Sequence, residues 1–184
     1  ADWDGLDLPW MAFGYGVMLT PLQTLSYYNA VANNGELVMP RFVSAVKTLD
    51  GKNVKSYPKK VINPAICSQE TLGKLQHLME GVVKNKWGTA HNIYDKKLSI
   101  AGKTGTCQVD YTTGNVQYVS SFVGYFPADD PKYSSIVIIH KPKKSEGYYG
   151  NTVAAPVFKK VAKKIMNNIP IEIEINTNKL TVVF

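Results

Sequence analysis

Residues 98–108 read LSIAGKTGTCQ, and two more β-prone runs follow at once: QYVSSFVGYF (117–126) and YSSIVIIHK (133–141). The first gap carries Thr113-Gly114-Asn115 and the second is the turn ADDPK, both rich in residues that reverse the chain. Connections this short select antiparallel pairing, because a parallel neighbour needs a crossover of about a dozen residues or more. The three runs therefore predict one antiparallel sheet, and the rest of the chain has to cover it.

The cover reads as helical. In TPLQTLSYYNAVANNG (20–35), Thr20 with Gln23 forms a Thr-x-x-Gln capping box, Pro21 suits the first helical position and Gly35 suits the stop. Leu22, Leu25, Asn29 and Ala32 fall on one face. Ser68 caps a second helix to residue 83, with Leu72, Leu75, Met79, Val82 and Val83 as its inner face. A third helix spans 152–168, its stripe being Ala154, Val157, Phe158, Val161, Ala162 and Ile165. Between the first two, residues 36–57 hold short β-prone runs around Asp50-Gly51, a hairpin signal. The fold class is α+β: an antiparallel β-sheet packed with helices. Residues 169–184, IPIEIEINTNKLTVVF, alternate like a strand or a linker and stand apart from this unit.

With 184 residues, 45% hydrophobic and 19% charged, the chain has the balance of an ordinary globular domain. No apolar run approaches the ~18–20 residues that span a bilayer. The opening ADWDGLDLPW has neither the basic nor the apolar region of a signal peptide. The net charge of +7 rests on lysine, since Arg41 is the one arginine. Arginine supplies the planar fork that reads phosphate and guanine, so nucleic acid is not the expected partner. Cys67 and Cys107 neither require nor exclude a disulfide, and His77, His91 and His140 have no partners at ligand spacing, so no metal site is expected.

The chemistry concentrates in Lys103-Thr104-Gly105-Thr106. A strand beside a serine nucleophile needs a cation for the substrate carboxylate, hydroxyls for further bonds to it, and a residue without a side chain where the acyl group lies along the backbone. Lys103, Thr104 with Thr106, and Gly105 meet these needs. K-T-G joins S-x-x-K and S-D-N in the motif set of penicillin-binding proteins and class A β-lactamases.

The flanks extend the match. GYGVMLTPLQTLSYYNAVANNGELVMPRFV (14–43), VVKNKWGTA (82–90), AGKTGTCQ (101–108), SSFVGYFPADDPKYSSIVII (120–139) and YYGNTVAAPVFKKVAKKI (148–165) resemble, in order, consecutive elements of the class B penicillin-binding transpeptidases. The resemblance covers about residues 9–168. It implies a partial penicillin-binding, serine β-lactamase-like fold in which residues 1–168 are the C-terminal portion of a transpeptidase domain. It implies acyl transfer: a serine attacks a D-alanyl-D-alanine stem peptide and passes the acyl group to a neighbouring stem's amine, while β-lactams trap that serine. Lys103, Thr104 and Thr106 would bind the donor or β-lactam carboxylate, the Thr106 amide would form half of the oxyanion hole, and no cofactor is implied. The parent would be anchored through an upstream segment, on the periplasmic or extracytoplasmic face of the plasma membrane.

The nucleophile is missing from this pattern. S-x-x-K occurs at Ser44–Lys47 and Ser56–Lys59. The first reads as a strand, where i and i+3 point to opposite faces, and Pro58 breaks the turn needed by the second. S-x-N occurs nowhere, and Tyr27-Tyr28-Asn29 sits inside the capped helix. The serine, its lysine and the second motif are therefore expected on the missing N-terminal half of the domain, leaving this chain inactive alone. Two smaller departures are Asn151, where the family often has a second glycine, and Cys107, where it often has a small residue. A β-lactamase or carboxypeptidase of the same superfamily, and a noncatalytic module that keeps the fold, are the rival readings; the 20–35 and 152–168 helices argue against the former.

Overall fold

The structure is a computed structural model that describes residues 3, 5–12, 14–109 and 116–167. In chain order the elements are α1 (Asp7–Ala12), α2 (Pro21–Ala32), β1 (Leu37–Val38), β2 (Ala45–Lys47), β3 (Asn53–Ser56), β4 (Val61–Asn63), α3 (Gln69–Lys84), β5 (Ala101–Val109), β6 (Gln117–Phe126), β7 (Tyr133–His140), α4 (Gly150–Val153) and α5 (Ala155–Asn167). The strand-like stretch 169–184 lies outside the described residues.

The central sheet has the order β5-β6-β7 and is antiparallel throughout. Thr104 stands opposite Phe122 and Thr106 opposite Ser120. β5 starts at Ala101, three residues later than the pattern predicts. The cause is local: the Ser99 carbonyl and hydroxyl both accept from the Ala128 amide, at 3.0 and 2.9 Å, which ties that residue to the loop after β6.

Helices cover both faces of the sheet. On one side Phe122 and Phe126 meet Phe158 of α5 at ring-centroid distances of 4.8 and 5.7 Å, both edge-to-face. Ala154, Ala155 and Ala162 let α5 lie close against them, and Ile93, Leu98 and Ile100 close the cluster. On the other side Tyr125 and Ala101 pack with Val31 of α2 and with Leu72 and Met79 of α3. β6 is thus buried on both faces. Burial pushes the Tyr125 phenol up to about 12.

The capping signals hold. Thr20 accepts from the Gln23 amide at 3.2 Å while the Gln23 side chain takes the Thr20 amide at 2.8 Å, and Ser68 accepts from the Thr71 amide. The Asp50-Gly51 hairpin forms, with β2 and β3 antiparallel and Gly51 at φ +84°. Ser44 directly precedes strand β2 and its carbonyl accepts from the Tyr57 amide at 2.9 Å, while Ser56 ends β3; neither S-x-x-K pattern is helical.

Three expectations need correction. The third helix is broken into α4 and α5, because Pro156 has no N–H for the Thr152 carbonyl. Val157 and Val161 belong to the solvent side of α5, 40% and 38% exposed, whereas Ala155 is buried. In α2 the face is right only in its second half: Ala32 packs on the core and Asn29 donates to Ser134, but Leu22 in the first turn is exposed. The short α1, which carries Pro9 in its first half, has no counterpart in the sequence pattern.

Candidate active site

β5 pairs with β6 on one side, and among the described residues no strand pairs with its other edge. Lys103 through Thr106 lie midway along this open edge strand. Because side chains alternate along a strand, Lys103 and Gly105 share the face of Ala101, and Thr104 with Thr106 takes the face of Phe122 and Ser120. The cation and the hydroxyls therefore come from opposite faces. They can meet only in front of the open edge, beside the outward backbone groups.

Each side chain is held differently. Lys103 is exposed and its Nζ donates to the Thr104 carbonyl at 2.9 Å, with no carboxylate partner among the described residues. Thr104 Oγ1 and Thr89 Oγ1 are 3.2 Å apart. Thr106 Oγ1 accepts from the Gly150 amide at 3.1 Å. Gly150 can approach because it has no side chain: a Cβ there would lie 2.4 Å from the Ser121 carbonyl oxygen and 2.6 Å from that of Gly105. A Cβ on Gly105 would meet only the Ser121 hydroxyl, at 2.5 Å, and a small hydroxyl can turn away. Local packing alone does not demand glycine at 105.

Beyond Thr106, the rings of Tyr118 and Tyr148 stack at 4.1 Å, and Tyr149 follows at 4.4 Å. The Ser120 hydroxyl donates to the Tyr148 carbonyl, which pins this turn to β6. Cys107 is half-buried and, like Cys67, a free thiol. No group of His, Cys, Asp or Glu suited to a metal occurs among the described residues. Two clefts, one lined by Asp95, Ser99 and Asp129 and the other by Asn29, Lys59 and Tyr133, do not include Lys103–Thr106.

The sequence reading groups Lys103, Thr104, Gly105 and Thr106 as one candidate site, and in the structure they alternate between the two faces of the open edge strand. It missed Thr89 and Gly150, the partners of the two hydroxyls. Both sit in stretches already singled out as matching flanks, WGTA and YYGN, but neither carries a chemical signature by itself.

Comparison with known proteins bears on this arrangement. The family described as penicillin binding protein transpeptidase domain matches residues 2–163. Stage V sporulation protein D of Bacillus subtilis (strain 168) is 34% identical over 79% of this chain and 22% of its own length. Peptidoglycan D,D-transpeptidase FtsI of Buchnera aphidicola subsp. Baizongia pistaciae is 30% identical over 89% of this chain and 27% of its own. The chain thus spans about a quarter of the length of these relatives. Among solved structures, penicillin binding protein 3 of Mycobacterium tuberculosis superposes with a TM-score of 0.75 at 28% identity, covering 90% of this chain and 39% of that one.

Proposed function

This chain belongs to the penicillin-binding protein transpeptidase domain family, and on that premise we propose that residues 1–168 are the C-terminal portion of a serine D,D-transpeptidase domain that cross-links peptidoglycan. The observation that carries this reading is the open edge of β5, with an ammonium that has no carboxylate partner among the described residues on one face and two tethered hydroxyls on the other.

The chemistry follows from that edge. A stem peptide, or a β-lactam in its place, lies alongside β5 with its carboxylate in front of Lys103, Thr104 and Thr106. Charge-assisted bonds from an ammonium and two hydroxyls are about twice as strong as neutral ones, so they anchor the donor. Gly105 lets the acyl chain run against the backbone. The Thr106 amide supplies one of two donors to the oxyanion that forms when serine adds to the carbonyl. That serine, with the lysine that takes its proton, comes from a segment outside these 184 residues. It releases D-alanine, holds the acyl group as an ester and passes it to the amine of a neighbouring stem. No cofactor takes part. The protein works on the extracytoplasmic face of the plasma membrane, as the peptidoglycan chemistry of this reading requires, and is anchored there. No helix among the described residues is long and apolar enough to cross a membrane. β-Lactam recognition is supported by the same mycobacterial relative, which has been solved complexed with ampicillin.

The test is the rate of acylation of the intact protein by a fluorescent penicillin. Lys103→Ala is expected to lower that rate at least ~10-fold, the loss of a charge-assisted bond worth about 1.5–3 kcal/mol. An unchanged rate excludes the role of Lys103.

A further inference from the structure

We infer that Thr89 is a positioning residue for carboxylate recognition: its hydroxyl donates to Thr104 and so aims the Thr104 proton at the bound anion. The inference rests on the proposed carboxylate site. Thr89 lies 15 residues before Thr104, in the loop after α3, and its Oγ1 is 3.2 Å from Thr104 Oγ1.

The loop that presents Thr89 is fixed on both sides. At Gly88, a Cβ would come within 2.3 Å of the Val82 carbonyl oxygen and 2.5 Å of that of Gly81. The chain therefore presses against the last turns of α3 at a position only glycine can occupy. At Ala90, the side chain is fully buried and the amide donates to the Val82 carbonyl at 3.0 Å. Thr89 is exposed between these two anchors, so its hydroxyl is offered from a backbone that cannot drift.

A hydroxyl has one proton and can also accept. Without a ligand, either threonine can be the donor. A carboxylate accepts only, so Thr104 must give its proton to the anion. Thr104 then has a lone pair free for Thr89, and the order becomes Thr89 O–H to Thr104 O–H to carboxylate. Each bond polarises the next, which strengthens the bond to the anion. Thr106 is served likewise by the Gly150 amide, which can only donate and leaves the Thr106 proton facing outward. Thr89 thus does by a side chain what Gly150 does by the main chain.

The experiment uses the intact protein and two ligands, a penicillin with a free carboxylate and its methyl ester. Thr89→Val keeps the shape and removes the hydroxyl. It is expected to slow acylation by the acid about 3- to 10-fold, the scale of one hydrogen bond, and to leave the ester rate unchanged. Thr89→Ser restores the acid rate, and Thr89→Val adds nothing in a Thr104→Val background. Thermal midpoints of all variants check that they fold. If Thr89→Val slows acid and ester alike, adds to Thr104→Val, or has no effect in a protein that acylates normally, this inference falls while the transpeptidase reading stands. If the unaltered protein takes no penicillin at all, both fall.

Discussion

The Gly150 amide reaches the Thr106 hydroxyl at 3.1 Å across 44 residues of chain, joining the start of α4 to the middle of β5. This contact depends on the absence of a side chain at 150. In Gly150→Ala the new Cβ meets two backbone oxygens, which cannot rotate away as a side chain would. The start of α4 must lift from β5, and the Thr106 hydroxyl loses its donor. Overpacking of this kind costs about 1–3 kcal/mol. Urea unfolding is expected to show that loss, with slower penicillin acylation in parallel. Unchanged stability in Gly150→Ala excludes the steric argument.

The sheet is held against α5 mainly by Phe158, which lies fully buried between Phe122 and Phe126. Phe158→Ala empties the centre of that cluster, where two aromatic edges converge and no polar group can admit water. The expected loss is about 3–5 kcal/mol. Phe158→Leu refills most of the volume and should recover more than half of it. Equal losses for both variants count against packing as the cause.

The parts of this fold legible in the sequence are those where local chemistry decides. Thr20 with Gln23, Ser68 and Asp50-Gly51 mark their boundaries through short-range hydrogen bonds and turn geometry, and all three stand as read. The strand limits at 117–126 follow from the turn-forming residues that flank the run in the sequence. Errors arise where tertiary contact overrides pattern. Leu22 and Val161 fit an apolar stripe but face outward, because α2 and α5 each meet the sheet over only part of their surface. Ser99 leaves the strand because the loop after β6 recruits both its oxygens. At the site, K-T-G-T was readable since four neighbouring residues carry the pattern. Thr89 and Gly150 come from distant segments, and nothing in a lone threonine or glycine announces which hydroxyl it will meet.

Asp95 ties α5 to the loop before β5, through Lys163 at 2.7 Å and Lys159 at 3.4 Å. The Lys163 bond, then the Lys97 amide, then Lys159 hold its carboxyl well below the usual carboxylate range. Folding therefore favours the ionised form. A carboxyl depressed in the folded state stabilises fully above its unfolded value of ~3.9 and loses that contribution as pH falls toward its folded value. The stability gap between the unaltered chain and Asp95→Asn should be constant near neutrality and shrink below about pH 4. Urea midpoints at neutral and acid pH measure it. A gap that persists unchanged in strong acid shows that Asp95 does not act through its charge.

These 184 residues by themselves are expected to take no stoichiometric covalent penicillin. Acylation needs a serine oxygen with a base one helical turn away. Ser26 lies in α2, but the residue three further on is Asn29, and α3 and α5 contain no serine. Ser44 and Ser56 have lysines at the right spacing, but Ser44 directly precedes strand β2, where that spacing turns Lys47 to the opposite face, and Ser56 ends β3 with Pro58 inside the helical turn that would be needed. On the proposed reading the Thr106 amide is one of two oxyanion donors, and the other comes with the nucleophile. What remains is the cation and hydroxyls of β5, enough for reversible carboxylate binding in the millimolar range, about −4 kcal/mol. Met18, Phe42, Leu49 and Trp87 are among the large apolar side chains left 84% or more exposed, so self-association should accompany the isolated chain. Intact mass after incubation with penicillin and denaturation decides the matter. A full equivalent of added drug mass, mapped to any serine, would overturn the assignment of the nucleophile to another segment.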